Sequence, residues 1–199
     1  MKVIVTGGLS GFGKQIVDSM QATSLSRRNG YDITKSEDIQ RIVELSLECD
    51  VFVNNAFDGN PIEEWGQFGQ VKLYYALHQA WKNANKSGYI FNIGSTGNKL
   101  PSSLAVLNDG YRSAKAALEY ASKQGSLGFK KNEVKFKTTL INFDRLDTEL
   151  SRSRLGWNGN GVKTDEVVEF MKLMTLNASN NMSVEEITFI LNIFYKAEK

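Results

Sequence analysis

The sequence predicts an α/β fold: a doubly wound parallel sheet with helices on both faces, in a three-layer αβα arrangement. Three observations carry this expectation. Short apolar runs rich in β-branched residues alternate with helical patterns along the chain, a glycine-rich turn joins the first run to the first helical pattern, and polar residues of chemical interest stand just past the apolar runs. Alternation of this kind means a parallel sheet covered on both faces, and right-handed crossovers leave few topologies. Ligands in such sheets bind beyond the carboxyl ends of the strands, where the polar residues fall.

Each element has its own signal. Residues 2–6 form a β-branched run bounded by glycines, the first strand. Residues 12–20 carry Phe12, Ile16, Val17 and Met20 at helical spacing. Residues 24–27 make a weak strand. Thr34 and Glu37 fit a capping box opening a helix that buries Ile39, Ile42, Val43 and Leu45. Residues 50–54 enclose Val-Phe-Val, a strong strand. Residues 62–85 read as mostly helical, with Gly66 and Gly69 weakening the start. A strand follows at 89–94, a helix at 111–123 and a long strand at 134–143. Helices are expected near 165–176 and 184–196, the second with Ser183 and Glu186 as a capping box and Ile187, Ile190, Leu191 and Phe194 on one face.

Composition narrows the class. The 199 residues are 41% hydrophobic and 23% charged, ordinary for a soluble globular chain and unlike a disordered or fibrous one. Residues 1–199 fit a single domain, large enough to bury a core without a disulfide or metal staple. Lys+Arg 24 against Asp+Glu 22 leaves +2, too even a balance for a dedicated nucleic-acid surface. One cysteine, Cys49, excludes an internal disulfide and fits a reducing compartment. One histidine, His78, excludes a multi-histidine metal site, and its neighbours Tyr74, Leu77 and Trp81 favour a packing role. With no apolar run of transmembrane length and no signal-peptide pattern, the expected location is the cytoplasm, with no metal, membrane or nucleic-acid partner.

After the first strand comes Thr6-Gly7-Gly8-Leu9-Ser10-Gly11-Phe12-Gly13. Glycines there allow a tight turn and close backbone approach to a phosphate, which the free N–H groups of the helix start then hold. Gly7, Ser10, Gly11, Phe12 and Gly13 are therefore candidate cofactor contacts. A dinucleotide site of the NAD type wants an acid about 20 residues on, for the ribose 2′-hydroxyl. Ser26, Arg27 and Arg28 stand there instead. A guanidinium would bind a 2′-phosphate bidentately, which favours NADP(H) over NAD(H); a merely solvated strand end is the alternative.

Further segments join the glycine turn: Asn54-Asn55-Ala56, Gly94-Ser95, and Tyr111-Arg112-Ser113-Ala114-Lys115, each beside a predicted strand or helix start. In this order they resemble the short-chain dehydrogenase/reductase family, from Met1 to about Leu150 and more loosely beyond, with the Rossmann-like fold that family has. The chemistry of the residues agrees. A spacing of four puts Tyr111 and Lys115 on one helical face. A lysine cation there lowers the tyrosine pKa from its usual value of roughly 10, which suits Tyr111 to general acid or base work. Ser95 can donate to a substrate oxygen where charge develops. The resemblance further implies that Lys115 holds the nicotinamide ribose and that Asp32 and Ile33 lie near the adenine ring. It also implies that Asn55 and Ala56 line the adenosine side, and that Leu146, by its backbone, and Thr148 receive the carboxamide.

The chain departs from the family pattern at several points. Phe57 ends the Asn-Asn-Ala-Gly motif in place of glycine. Lys72, in Val71-Lys72-Leu73, replaces an asparagine that helps to hold a relay water; it either adds a second cation near Lys115 or points to solvent. Phe143-Asp144 replaces Pro-Gly, and Asp144 has Arg145, Lys72 or a cationic substrate as possible partners. Only Asn29-Gly30-Tyr31 separates Arg28 from Asp32, so a helix and an edge strand are expected to be missing there. No final strand is expected after the last helix, so the resemblance, with these parts missing, implies a trimmed sheet of about five strands in the order 2-1-3-4-5, beginning near Lys2, Ser24, Asp50, Tyr89 and Val134. Gly156, Trp157, Gly159 and Gly161 make either a lid over the substrate or a surface loop. Lys130, Lys131, Lys135 and Lys137 read as solvated surface.

The function expected is an NADP(H)-dependent oxidoreductase acting on a small carbonyl or alcohol, with Ser95, Tyr111 and Lys115 catalytic. The alternative is a dinucleotide-binding sensor of the same fold without turnover; a nucleotide-sugar epimerase or dehydratase would need a larger C-terminal substrate region. A homodimer through the helices at 62–85 and 111–123 is possible, its small residues Ala114, Ala116, Ala117 and Ala121 suited to close packing.

Overall fold

The structure is a computed structural model that describes residues 1–58, 66–99, 109–144, 146–153, 161–176 and 183–189. Its centre is one parallel sheet in the order β2-β1-β3-β4-β5-β6. The strands are β1 (Val3–Thr6), β2 (Thr23–Leu25), β3 (Val51–Asn54), β4 (Gly88–Ile93), β5 (Phe136–Phe143) and β6 (Glu186–Phe189). The helices are α1 (Gly11–Met20), α2 (Ser36–Ser46), α3 (Gly69–Asn83), α4 (Asp109–Lys130), α5 (Glu149–Arg152) and α6 (Thr164–Leu176).

Side chains of successive strand residues point to opposite faces, and the core divides accordingly. Ile4, Phe52, Ile90 and Leu140 pack on one face with Ile42, Leu73, Trp81 and Leu118 from α2, α3 and α4. Val5, Val53, Phe91 and Ile141 pack on the other with Phe12, Ile16, Val168 and Met171 from α1 and α6. All four β1 and all four β3 residues are buried, as a sheet covered on both faces requires.

The expected strand order holds for the first five strands; the count does not. The described residues form six strands, and residues 186–189 add to β5 where a helix was expected. Glu186 explains the difference. Its carboxylate accepts hydrogen bonds from Lys99 Nζ at 2.7 Å and Asn142 Nδ2 at 2.8 Å. Lys123 Nζ lies 3.1 Å from its other oxygen. These partners sit on three other segments, so tertiary contacts outweigh the local capping pattern. Residues 190–196 of the expected helix lie outside the described residues.

Smaller corrections follow the same logic. The helix expected to open on Thr34 and Glu37 starts at Ser36, with Lys35 as N-cap and no side-chain cap. The Thr34 hydroxyl donates instead to Asp32 Oδ1 at 2.8 Å, and the Asp32 amide donates to Asp38 Oδ2 at 2.9 Å. Lys137 is not solvated: it is 4% exposed on β5, with its ammonium 5.5 Å from the Phe129 ring centroid. Helix α3 begins at Gly69, and residues 59–65 are outside the description. The shortening after Arg28 is present: a 3-10 turn at Arg27–Asn29 follows β2 directly, and β2 is the sheet edge.

Candidate active site

The glycine turn builds a cradle at the carboxyl end of β1. Gly7 has φ +71°, which L side chains adopt only with strain. A Cβ on Gly13 would stand 2.2 Å from Gly7 O, so only glycine lets α1 approach the turn. Gly11 opens α1, whose first turn holds no acid, and the Ser10 side chain does not cap it. The helix-start amides thus carry their partial positive charge toward the cradle, and an anion fits there. Phe12 is buried, edge-on to Phe143 at 5.2 Å, and anchors this start to β5.

Beside the cradle, one hydroxyl ties two strand ends together. Thr6 Oγ1 accepts the amides of Asn55 and Ala56, both at 3.0 Å, and Asn55 Nδ2 donates to Thr6 O at 3.0 Å. Ala56 also bounds the space above Gly7, where an added Cβ would meet its Cα at 3.1 Å.

At the end of β2 the two arginines part company. Arg27 lies between two carboxylates, with Nε 3.5 Å from Asp32 Oδ2 and Nη2 3.2 Å from Asp58 Oδ1. Arg28 is exposed and makes no ion pair with a described residue. Ile33 is buried, and its carbonyl meets the start of α3, 2.6 Å from where a Gly69 Cβ would be.

Lys115 is the centre of the polar interior. It is 4% exposed on α4, and Nζ donates to Gln70 Oε1 and to Ile93 O, both at 2.8 Å. Burial pushes its pKa down to about 7. Tyr111, one turn earlier, is half-buried, with its ring centroid 5.8 Å from the Lys115 ammonium. The Phe57 ring lies over both, 5.1 Å from Lys115 Nζ and 4.9 Å from the Tyr111 ring, edge to face. Ser95 stands two residues past Ile93, half-buried, with Oγ accepting the Gly97 amide at 3.1 Å. The end of β4 therefore carries Ser95 and receives Lys115, and the 3-10 turn Thr96–Lys99 packs on α4.

Past β5, Leu146 pairs with Val162 in a parallel bridge, and its carbonyl accepts the Thr148 amide at 3.0 Å. Asp144 is exposed; its carboxylate accepts a 3.5 Å bond from Thr96 Oγ1, while Lys72 lies on the solvent side of α3. Arg145, Gly156, Trp157 and Gly159 lie outside the described residues. His78 packs edge-on to Phe136 at 5.2 Å, and desolvation lowers its pKa. Cys49 is fully buried, and burial pushes its thiol up to about 12, which makes it a poor nucleophile.

No family model matches this sequence, and no curated protein matches it. Solved structures do. A 4-hydroxyisoleucine dehydrogenase complexed with NADH is 16% identical, with TM-score 0.76 over 100% of both chains. A 3-ketoacyl-(acyl-carrier-protein) reductase from Brucella melitensis, complexed with NADH, is 20% identical, with TM-score 0.74 over 95% of this chain and 96% of that one. A short chain dehydrogenase from Burkholderia cenocepacia in complex with NADP is 18% identical, with TM-score 0.71 over 94% of this chain and 89% of that one. The fold is that of the short-chain dehydrogenases. Within it, Ser95, Tyr111 and Lys115 stand at the end of β4 and on the adjoining α4.

Three residues of this short-chain dehydrogenase fold escaped the sequence reading. Thr6 opens the glycine-rich turn, yet its hydroxyl works on Asn55 and Ala56 across 49 and 50 positions. Asp58 meets Arg27 only through the fold. Gln70 had a local signal: it shares the buried face of α3 with Tyr74, Leu77 and Trp81, and a polar residue on an apolar stripe needs a partner.

Proposed function

We propose that the chain is an NADP(H)-dependent oxidoreductase that interconverts a small carbonyl and the matching alcohol. One observation carries the reading: Tyr111 and Lys115 lie on one face of α4, and Lys115 is hydrogen-bonded to the strand end that leads to Ser95. The glycine cradle at α1 fits the pyrophosphate of a dinucleotide, with Gly7, Gly11 and Gly13 supplying the close approach and Asn55 and Ala56 the adenosine side. Lys115 would hold the nicotinamide ribose. A bound nicotinamide supplies or accepts the hydride. Ser95 Oγ donates a hydrogen bond to the substrate oxygen as charge develops on it. Tyr111 gives its phenolic proton to that oxygen in reduction and takes it back in oxidation. The charged form of Lys115 favours the phenolate and so eases both transfers.

The cofactor preference rests on Arg28, because Arg27 already pairs with Asp32 and Asp58. Arg28→Ala should lower the NADPH/NADH affinity ratio at least tenfold, about 1.4 kcal/mol, and Arg27→Ala should lower it less. Equal ratios in wild type and both variants would sink the 2′-phosphate assignment. A cytoplasmic location and a homodimer through α3 and α4 complete the proposal; Tyr75 and Tyr120, 53% and 64% exposed, lie on those helices.

The rival reading, a dinucleotide-binding sensor without turnover, gains support from one feature. The Lys115 ammonium is already engaged by Gln70, Ile93 and the Phe57 ring. Nicotinamide absorbance, followed across a panel of aldehydes and ketones for wild type and Tyr111→Phe, separates the two. Turnover that drops by about 100-fold or more in Tyr111→Phe supports the oxidoreductase. Binding without turnover favours the sensor, and turnover indifferent to Tyr111→Phe overturns the mechanism.

A further inference from the structure

We propose that Phe57 is a gate over the Lys115 ammonium, displaced by any ligand that uses this lysine; the proposal deepens the dinucleotide reading above and rests on it. An ammonium has three N–H donors. Two are taken by Gln70 Oε1 and Ile93 O, at 2.8 Å each. The Phe57 ring stands over the same nitrogen, 5.1 Å from centroid to Nζ, within cation–π range. That ring also closes edge-on against Tyr111 at 4.9 Å. Two donors are thus engaged, and the Phe57 face, with the Tyr111 ring at 5.8 Å, stands beside the nitrogen that a ribose hydroxyl would need.

The three neighbours differ in how firmly they are held. Gln70 sits on α3, 2% exposed, with Nε2 donating to Asn54 O at 2.6 Å and Ile93 O at 3.0 Å. Ile93 O belongs to β4, in the middle of the sheet. Phe57 is half-buried on irregular backbone just past β3. It is therefore the group that yields. Its position follows the cradle: Ala56, its neighbour, bounds Gly7. A ligand confined to the cradle and the Arg28 end does not reach the ring, whereas one extended to Lys115 must move it. A gate closed in about nine molecules of ten makes the apparent affinity of the whole dinucleotide about tenfold weaker than its intrinsic affinity.

The test compares whole and half ligands on the full chain. Calorimetric titrations use NADPH and adenosine 2′,5′-bisphosphate, with NADH and AMP as the matching pair without the 2′-phosphate. Wild type, Phe57→Gly and Phe57→Leu are compared, each checked by thermal unfolding; the leucine keeps apolar bulk if the glycine variant folds poorly. The expected result is dinucleotide binding about tenfold tighter in Phe57→Gly, intermediate in Phe57→Leu, with the half ligands unchanged. Dinucleotide affinity that stays level or falls in Phe57→Gly overturns the gate while leaving the cofactor reading intact. Equal gains for whole and half ligands also overturn it, because the ring would then act at the cradle. If no nucleotide binds any variant, the cofactor reading fails and the gate falls with it.

Discussion

Thr6 Oγ1 accepts two amides from the far side of the cradle, Asn55 and Ala56, at 3.0 Å each. Thr6→Val keeps the shape and removes the acceptor; the Asn55 amide keeps Val53 O at 3.1 Å, while the partly buried Ala56 amide loses its partner. The expected cost is about 1–3 kcal/mol, read as a lower denaturation midpoint, with weaker nucleotide binding as the cradle loosens. An unchanged midpoint would mean that the Ala56 amide finds another acceptor. The same scale shows how far single residues could be read in advance. The placement of Tyr111 and Lys115 on one helical face and of Ser95 just past β4 was legible because motif spacing is local. Lys72 was singled out for its place in Val71-Lys72-Leu73, yet it faces solvent, and Gln70, on the buried stripe of α3, meets Lys115 instead. Helical periodicity distinguishes the two residues; the motif does not.

At the scale of elements, β6 is the instructive case. Ser183 and Glu186 have helix-capping spacing, but Glu186 has its partners on β5, on α4 and on the turn after β4. Partial burial alone would raise its carboxyl pKa; the hydrogen bonds from Lys99 and Lys123 outweigh that and hold it at about 2. A carboxyl held below its ordinary value of 4.5 contributes stability that is complete above that pH and is lost as pH falls toward 2. Glu186→Gln should therefore cost about 1–2 kcal/mol at neutral pH and flatten the loss of stability between pH 4.5 and 2. Chemical denaturation across that range measures both effects, and parallel curves for the two proteins would show that Glu186 does not anchor the strand. The capping box expected at Thr34 failed for a related reason: Asp32 and Asp38 offered nearer hydrogen-bond partners than the helix start did.

For the whole molecule, alternation located the first five strands, because each apolar run and each helical stripe reports its own burial, and the resemblance to the short-chain dehydrogenases implied their order. The 3-10 turn that leads straight from β2 to Asp32 was also legible, since three residues leave no room for a helix and a strand. The local sequence thus determined the class of fold, the cradle at its switch from strand to helix, and the spacing of Tyr111 and Lys115. Tertiary structure decided what spans long separations: the sixth strand held by Glu186, the pairing of Arg27 with Asp58, and the enclosure of Lys115 by Gln70, Ile93 and Phe57. The physical reason is range. Periodicity and turn chemistry act over a few residues, whereas a buried ammonium or carboxylate takes its partners from whichever segments the sheet brings beside it.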